Sequence, residues 1–148
     1  MPQFSSEDVR RIWERVQKAN APVTERPDLC TFAAREQNCA VLYRYLARKI
    51  PGNAGNMLLK FSRQEQSHAA AIRGMCAIRY GKCPPISNTP VESAPVAVLL
   101  RRCYGQKIQA IAEYEKLAQQ EQGKIFQKLL KEEQLQLQFL LQLLGTIK

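Results

Sequence analysis

The chain has 148 residues, of which 45% are hydrophobic and 24% are charged, and this composition predicts one folded domain with a buried core rather than a disordered chain. The net charge is +9, but the 22 Lys and Arg residues are scattered and no nucleic-acid-binding motif accompanies them, so nucleic acid is not expected as a partner. No apolar run approaches the ~18 residues of a membrane span, which predicts a soluble protein without a membrane partner.

A short amphipathic helix is predicted near the N-terminus, beginning at the capping sequence Ser5-Ser6-Glu7-Asp8 and ending near Asn20. Its apolar residues recur at helical spacing, as Val9, Ile12, Trp13 and Val16. Because Trp13 lies on this one-sided stripe, we expect it to pack against the rest of the same chain, with a second subunit as the alternative.

A linker follows this helix and completes an N-terminal segment of residues 1–27. Pro22 and Pro27 bracket the linker, and Asp28 is a candidate cap for the helix after it. The remaining residues, 28–148, are predicted to form a bundle of four longer helices.

The first bundle helix is predicted from Leu29 to Ile50. Its apolar positions trace one stripe at helical period, namely Leu29, Phe32, Ala33, Ala40, Tyr43, Leu46, Ala47 and Ile50. Glu36 lies in the middle of this stripe. Because a carboxylate is costly to bury, Glu36 needs a metal, a cation or a hydrogen-bonding partner facing it.

The second bundle helix is predicted from about Asn56 to Tyr80, after a stop at Ile50-Pro51-Gly52 and a turn at Asn53-Ala54-Gly55. Its inner face carries Leu58, Phe61, Glu65, His68, Ile72, Met75 and Cys76, and Gly81 ends it. The spacing of three between Glu65 and His68, the only histidine, puts both on that face. A short turn makes the two helices antiparallel, so Glu36 is expected at a similar depth.

A long connection separates the second and third bundle helices. Residues 82–94 show no periodicity and contain Pro84, Pro85 and Pro90. Such a link predicts a crossover, in which the third helix runs parallel to the second before the fourth returns.

The third bundle helix is predicted from Pro95 to about Gln120 and the fourth, after a break around Gly123, from Lys124 to Leu144, ended by Gly145. Their inward positions are Val96, Leu99, Leu100, Cys103, Ala110, Ile111, Tyr114, Leu117 and Ala118, then Phe126, Leu129, Leu130, Leu137, Leu140 and Leu144. Lys107 interrupts the first of these seams and Glu133 the second. Three carboxylates, one imidazole and one ammonium thus fall within apolar seams.

The chain also repeats itself weakly. Tyr43 follows Glu36 by seven residues, and Tyr114 follows Lys107 by seven. Leu58 and Phe61 precede Glu65 at the same spacings at which Phe126 and Leu129 precede Glu133, which is typical of a duplicated helical hairpin.

In this arrangement residues 29–144 resemble the ferritin-like superfamily, and within it the rubrerythrin-type di-iron domain. Such bundles take one Glu from each of two helices and Glu-x-x-His from each of the other two to hold two metal ions. Glu36 with Tyr43 resembles the first-helix element, and Glu65-Gln66-Ser67-His68 matches the second.

The second half of the chain departs from the family pattern. Where the third helix should offer Glu, the frame set by Tyr114 gives Lys107, with Gln106 beside it. Where the fourth should read Glu-x-x-His, it reads Glu133-Gln134-Leu135-Gln136. A second metal position would therefore lack its His and its terminal Glu.

The resemblance implies a metal site made by Glu36, Glu65, His68 and Glu133. A mixed set of oxygen and nitrogen ligands suits iron, manganese or zinc, and the family favours iron. One ion is favoured over two, because three carboxylates, one divalent ion and the Lys107 ammonium carry no net charge together. The alternative is a metal-free polar core in which the carboxylates pair with Lys107 or Arg side chains.

Other residues near this site have predicted supporting roles. Tyr43 and Tyr114 are expected to fill the core and hydrogen-bond a carboxylate rather than to act in redox chemistry. Gln136 is expected to hydrogen-bond a ligand, with weak ligation as the alternative. Cys39 and Cys103 lie near the site in sequence but are expected to be small buried residues.

The five cysteines, Cys30, Cys39, Cys76, Cys83 and Cys103, form no CxxC pair, so the sequence contains neither a zinc ribbon nor a thioredoxin-type site. Their odd number, with no charged-then-apolar leader at the N-terminus, favours thiols in the reducing cytoplasm. The two CxxC pairs of a rubredoxin module are also missing, so a redox role would need a separate electron donor.

Three functions remain open at this point. The resemblance implies an oxidoreductase acting on peroxide or oxygen. A non-catalytic metal-binding or iron-handling module is the second interpretation, and a metal-free helical interaction protein is the third. Ferritin-like bundles often self-associate, so the resemblance also implies a homo-oligomer such as a dimer, for which Trp13 offers a contact.

Overall fold

The computed structural model describes residues 5–20, 29–81, 89–120 and 124–147, and within these ranges the chain forms five α-helices and no strand. The helices are α1 (Ser6–Asn20), α2 (Leu29–Lys49), α3 (Gly52–Tyr80), α4 (Val96–Ala118) and α5 (Lys124–Thr146). The predicted all-α class is therefore confirmed. The linker prolines, the cap at Asp28, Cys83, Pro84, Pro85 and the break at Gly123 lie outside the described residues.

Helix α1 begins where the capping sequence predicts, but its apolar stripe does not pack as expected. The Ser5 hydroxyl accepts a hydrogen bond from the backbone N–H of Asp8, at 3.1 Å, and the Asp8 carboxylate accepts one from the backbone N–H of Ser5, also at 3.1 Å. Trp13 is 60% exposed, and its neighbours Val9 and Ile12 are exposed as well. Trp13 is therefore not buried against the same chain as predicted, and the apolar clusters of α2–α5 contain no described residue of α1.

The turn between α2 and α3 is tighter than predicted. Helix α3 begins at Gly52, so residues 53–55 lie in its first turn and do not form a separate turn. Gly52 has a φ of +77°, a left-handed conformation that glycine adopts at little cost and that lets the chain reverse directly after Pro51. A Cβ on Gly55 would lie only 2.1 Å from the carbonyl oxygen of Ile50. The glycines thus allow a close turn where the sequence pattern indicated a longer break.

Two apolar clusters show how the four long helices run. One of them contains residues from the start of α3 and from the start of α4, which are Leu58, Phe61, Leu99, Leu100 and Cys103. The other contains residues from the later half of α3 and from the later half of α4, which are Ile72, Cys76, Ala110, Tyr114 and Leu117. Helices α3 and α4 therefore run in the same direction, and the chain between Gly81 and Pro95 joins opposite ends of the packed helices.

The ends of the helices fit the predictions with one further exception. Gly81 ends α3 in a left-handed conformation, with its N–H donating to the Ala77 carbonyl at 2.8 Å. Helix α5 continues to Thr146, so Gly145 lies inside its last turn and does not end it. Among the described residues, no helix combines the length and the apolar character needed to cross a membrane.

A polar layer lies between the two apolar clusters. It contains the buried polar and charged residues of α2–α5, which are Glu36, Ser62, Glu65, His68, Lys107, Glu133 and Gln136. All four long helices contribute to this layer. It therefore brings together buried polar and charged side chains, which are costly to place in an apolar core.

Candidate metal centre

The four predicted metal ligands meet in the polar layer. Glu36 comes from α2, Glu65 and His68 from α3, and Glu133 from α5, and each is no more than 2% exposed. One ligand atom from each of the four lies within 4.8 Å of the others. The helical spacing that put these residues on inner faces thus also puts them at one depth.

The imidazole of His68 has two different surroundings. Its Nδ1 lies 3.1 Å from Glu133 Oε1, 3.5 Å from Glu65 Oε1 and 3.8 Å from Glu36 Oε2. Its Nε2 lies 2.9 Å from Glu132 Oε2. One edge of the ring therefore faces the three buried carboxylates, and the other faces a carboxylate at the rim of the site.

Glu132 was not predicted as a site residue. Its side chain is 24% exposed, because it lies one position, about 100°, around α5 from Glu133. That position is off the apolar seam on which the sequence prediction depended. The adjacent acidic pair at 132 and 133 is the signal that could have indicated it.

Lys107 also points into the site and not into solvent. Its Nζ lies 2.7 Å from Glu133 Oε2, 2.8 Å from Glu65 Oε2 and 3.9 Å from Glu36 Oε2. The ring of Tyr43 lies on another side, with its centroid 5.5 Å from Nζ. The ammonium is thus held between carboxylates that face the same space as His68.

Several site oxygens have no hydrogen bond among the described residues. They are Glu36 Oε2, both oxygens of Glu65, and Glu133 Oε2. Two of them, Glu65 Oε2 and Glu133 Oε2, lie 2.8 and 2.7 Å from Lys107 Nζ and so face its positive charge. Buried oxygens without donors are costly, and a cation among them would remove that cost.

Burial and charge shift the pKa values of these groups in opposite directions. Burial raises the pKa of Glu65, but attraction to Lys107 and the contact with the His68 imidazole outweigh it and lower that pKa to about 2. Burial lowers the pKa of His68, yet its hydrogen bond with Glu133 and the nearby negative charge of Glu65 raise that pKa to about 10. Without a metal, His68 is therefore an imidazolium at neutral pH.

Burial and nearby charges also determine the pKa values of Lys107 and Glu133. Burial lowers the pKa of Lys107, but nearby negative groups, Cys39 and Glu65 first among them, hold it well above its ordinary value. Burial raises the pKa of Glu133, and the negative charge of Glu65 adds to this rise against the attraction of Lys107. Lys107 is thus a fixed positive charge, and Glu133 is the carboxylate that gives up its charge more readily than Glu65.

Hydrogen bonds from the surrounding side chains fix parts of the site. The Tyr114 hydroxyl donates to Glu36 Oε1, as predicted for a tyrosine beside a carboxylate. The Tyr43 hydroxyl donates to Gln136 Oε1 at 2.9 Å, and Gln136 Nε2 donates to Gln64 Oε1 at 3.1 Å. Tyr43 thus donates to an amide and not to the predicted carboxylate, and Gln136 makes hydrogen bonds to Tyr43 and Gln64 and not to a proposed ligand.

The remaining predicted neighbours, Gln106, Cys39 and Cys103, differ in their relation to the site. Gln106 is half-buried, and within the described ranges none of the hydrogen bonds or ion pairs of the site involves it. Cys39 and Cys103 are fully buried, as expected. A hydrogen bond from Cys103, opposed by burial and helped by Lys107, lowers the pKa of Cys39 to about 7. These two thiols thus lie beside the ammonium rather than among the ligands.

Arg35 is a supporting residue that the sequence did not indicate. Its guanidinium pairs with Glu113 at 2.5 Å and lies over the rings of Phe32 and Tyr114, at 5.0 and 5.5 Å from their centroids. This contact holds the Tyr114 ring against α2, where its hydroxyl reaches Glu36. This role of Arg35 depends on the packing of α2 against α4. In the sequence, Arg35 is simply an arginine next to Glu36 on a helix.

The four ligand atoms fit one ion with a small contraction. Metal–ligand bonds to oxygen and nitrogen are about 2.0–2.2 Å, so two ligands of one ion stand no more than about 4.4 Å apart. The separations of up to 4.8 Å exceed this by a few tenths of an ångström. Small rotations of the carboxylates would bring all four into bonding distance.

Comparison of the chain with family models, with curated proteins and with solved structures finds no match in any of the three. The resemblance to the ferritin-like superfamily stays a prediction from the sequence pattern. A function for this chain therefore has to come from its own residues and their geometry.

Proposed function

We propose that the protein is a rubrerythrin-like member of the ferritin-like superfamily that binds one metal ion through Glu36, Glu65, His68 and Glu133, with iron favoured over manganese and zinc. The observation that carries this proposal is the convergence of three buried carboxylates on His68 Nδ1, where Glu36 Oε2 and Glu65 Oε1 have no hydrogen bond. A cation is the one kind of partner that all of them can share.

The net charge of the buried cluster supports a divalent metal ion in place of the proton on His68 Nδ1. Without metal, the three buried carboxylates face Lys107 and a protonated His68, which leaves the cluster with one net negative charge if all three are ionised. A divalent ion would displace the proton from Nδ1 and bring the cluster to neutrality. Glu132 would then accept the Nε2–H of the neutral imidazole and keep Nδ1 turned to the ion.

The surroundings of Lys107 support one ion rather than two. The ammonium lies within 2.8 Å of oxygens of both Glu65 and Glu133, and a second cation sharing those carboxylates would meet its charge at short range. Gln136 Oε1 accepts a hydrogen bond from Tyr43, which competes with ligation of a second ion by that oxygen. Lys107 thus stands in for the second metal ion of a paired site.

For the activity, we propose an oxidoreductase acting on peroxide or oxygen, with a separate electron donor. Bound iron would supply one-electron redox chemistry, and this chain would supply the dry surroundings and the fixed ligands. The site residues are no more than 2% exposed, so only a small oxidant could approach without rearrangement. The alternative is a protein that holds the metal ion without catalytic turnover.

The exposed apolar stripe of α1 fits a contact between two copies of the chain in a homodimer.

Metal content tests the proposal directly. The protein, purified without added metal and then loaded with ferrous iron in the absence of oxygen, should hold one ion per chain by elemental analysis. Glu133→Gln and His68→Ala should lose that ion, whereas Glu115→Gln, at an exposed position of α4, should keep it. Two ions per chain would refute the role given to Lys107.

The same samples separate the alternatives. No bound metal, with wild-type stability in His68→Ala, would contradict the metal site and favour a metal-free interaction protein. One tightly held ion without peroxide consumption, even with a supplied reductant, would favour the non-catalytic role. Peroxide consumption that is lost in Glu133→Gln would support the enzyme.

A further inference from the structure

Two thiols lie close together outside the candidate metal centre. Cys30 is in the first turn of α2 and Cys76 in the last part of α3, and their sulfur atoms are 3.4 Å apart. Both belong to the second apolar cluster, and neither is among the ligands that face His68. The antiparallel packing of α2 on α3 is what brings together residues that are 46 positions apart in sequence.

The geometry is close to that of a disulfide. A disulfide bond is about 2.05 Å long, so closing it needs the sulfurs to approach by about 1.4 Å, which side-chain rotations can supply. Cys30 lies in the first turn of α2, where backbone N–H groups have no partner within the helix and the chain adjusts more easily than in its middle. The pair can therefore close without moving α2 as a whole.

The two thiols differ in access. Cys30 is half-buried and can meet a small reagent at the surface, whereas Cys76 is 3% exposed. A reagent would therefore reach Cys30 first, with Cys76 next to it as the group that resolves the product. Cys39 and Cys103 are both fully buried. They are a comparison pair of thiols in the same chain that lack the surface access of Cys30.

We propose that Cys30 and Cys76 form a reversible disulfide when Cys30 reacts with a hydroperoxide. The Cys30 sulfur attacks the O–O bond and gains the hydroxyl group as a sulfenic acid, while the thiol proton passes to the other oxygen, which leaves as water or an alcohol. The Cys76 sulfur then attacks the Cys30 sulfur, which forms the S–S bond and releases water. The thiols are oxidised by two electrons in total, the hydroperoxide is reduced by two, and a dithiol reductant reverses the change.

The bond would close the α2–α3 hairpin at its open end. The turn at Pro51 and Gly52 joins the other end, so the disulfide would fix both ends of the pair of helices that carries Glu36, Glu65 and His68. It would also restrict the unfolded chain across a long loop, which stabilises the folded state. Its formation does not depend on the metal, since no proposed ligand takes part.

Peptide mapping of the full-length protein tests this proposal. The reduced protein is treated with hydrogen peroxide in the presence of a chelator, alkylated, and digested without reductant. We expect one intramolecular crosslink that joins Cys30 to Cys76, a loss of about 2 Da reversed by dithiothreitol, and a rise of roughly 5 °C or more in the unfolding midpoint.

Matched variants make the outcome specific. Cys30→Ser and Cys76→Ser should each abolish the mass loss and the rise in midpoint, while Cys39→Ser should retain both. Crosslinks that join Cys30 or Cys76 to Cys83, crosslinks between chains only, or irreversible oxidation of Cys30 without a crosslink would each overturn the proposal. Because a chelator is present throughout, the outcome tests the disulfide independently of whether the proposed metal site binds an ion.

Discussion

Lys107 Nζ lies 2.7 Å from Glu133 Oε2, in a layer where neither side chain is more than 3% exposed. A buried ammonium at this distance from a carboxylate has lost its water and depends on the negative charge around it. The same Nζ lies 2.8 Å from Glu65 Oε2. Lys107 thus belongs to the proposed ligand set as its fixed counter-charge.

Replacing Lys107 by methionine should destabilise the metal-free protein strongly. The change keeps most of the side-chain volume but leaves the buried carboxylates of Glu65 and Glu133 facing each other, at a cost of about 3 kcal/mol or more in the free energy of unfolding. Urea denaturation with a chelator measures this cost. Lys116→Met, at an exposed position of the same helix, is the control and should change stability by less than about 0.5 kcal/mol.

Adding metal to the Lys107→Met variant sharpens the test. A divalent ion would replace the missing positive charge, so the variant should gain more stability from metal than the wild type does. Equal gains in the two proteins would contradict the view that Lys107 and the metal share the same carboxylates.

Glu132→Gln should weaken metal binding without removing a proposed ligand. Glu132 accepts from His68 Nε2 at 2.9 Å and so keeps Nδ1 turned to the carboxylates. Loss of such a partner typically costs about 10–100-fold in metal affinity. Competition with a chelator of known affinity measures the change. An unchanged affinity would show that the packing of His68 alone fixes its orientation.

The metal-free protein should become less stable as pH rises from about 6.5 towards 10. The pKa of His68 is raised from its ordinary 6.5 to about 10 in the folded protein, so the protonated imidazole favours the folded state. This stabilisation is fully present below pH 6.5 and is lost as pH rises through about 10. Free energies of unfolding across this range, compared with those of His68→Gln, isolate the effect. Parallel pH profiles for the two proteins would rule it out.

Gly55→Ala should destabilise the turn between α2 and α3. The added Cβ would lie 2.1 Å from the Ile50 carbonyl oxygen, and because that oxygen belongs to the backbone, the turn must open. We expect a loss of about 2 kcal/mol or more in thermal or urea unfolding. Gly74→Ala is the control, because its Cβ meets nothing within 4 Å and alanine favours a helix interior by roughly 0.5–1 kcal/mol. Similar effects at both positions would show that the close approach at Gly55 does not constrain the turn.

Helical periodicity by itself determined which residues lie inside this protein. An apolar stripe marks the inner face of each long helix, and a charged residue within the stripe must be buried with it, which is how Glu36, Glu65, His68, Lys107 and Glu133 could be predicted. The spacing of the stripes also determined the order and approximate length of the helices.

Only the tertiary structure decided what these residues touch. Glu132 and Arg35 lie off the seams, and their contacts depend on the distance between neighbouring helices, which a sequence pattern does not contain. The early start of α3 depends on the positive φ of Gly52 and the close approach at Gly55. Periodicity states which way a side chain faces along one helix, whereas contact across helices depends on how closely and at what depth they pack.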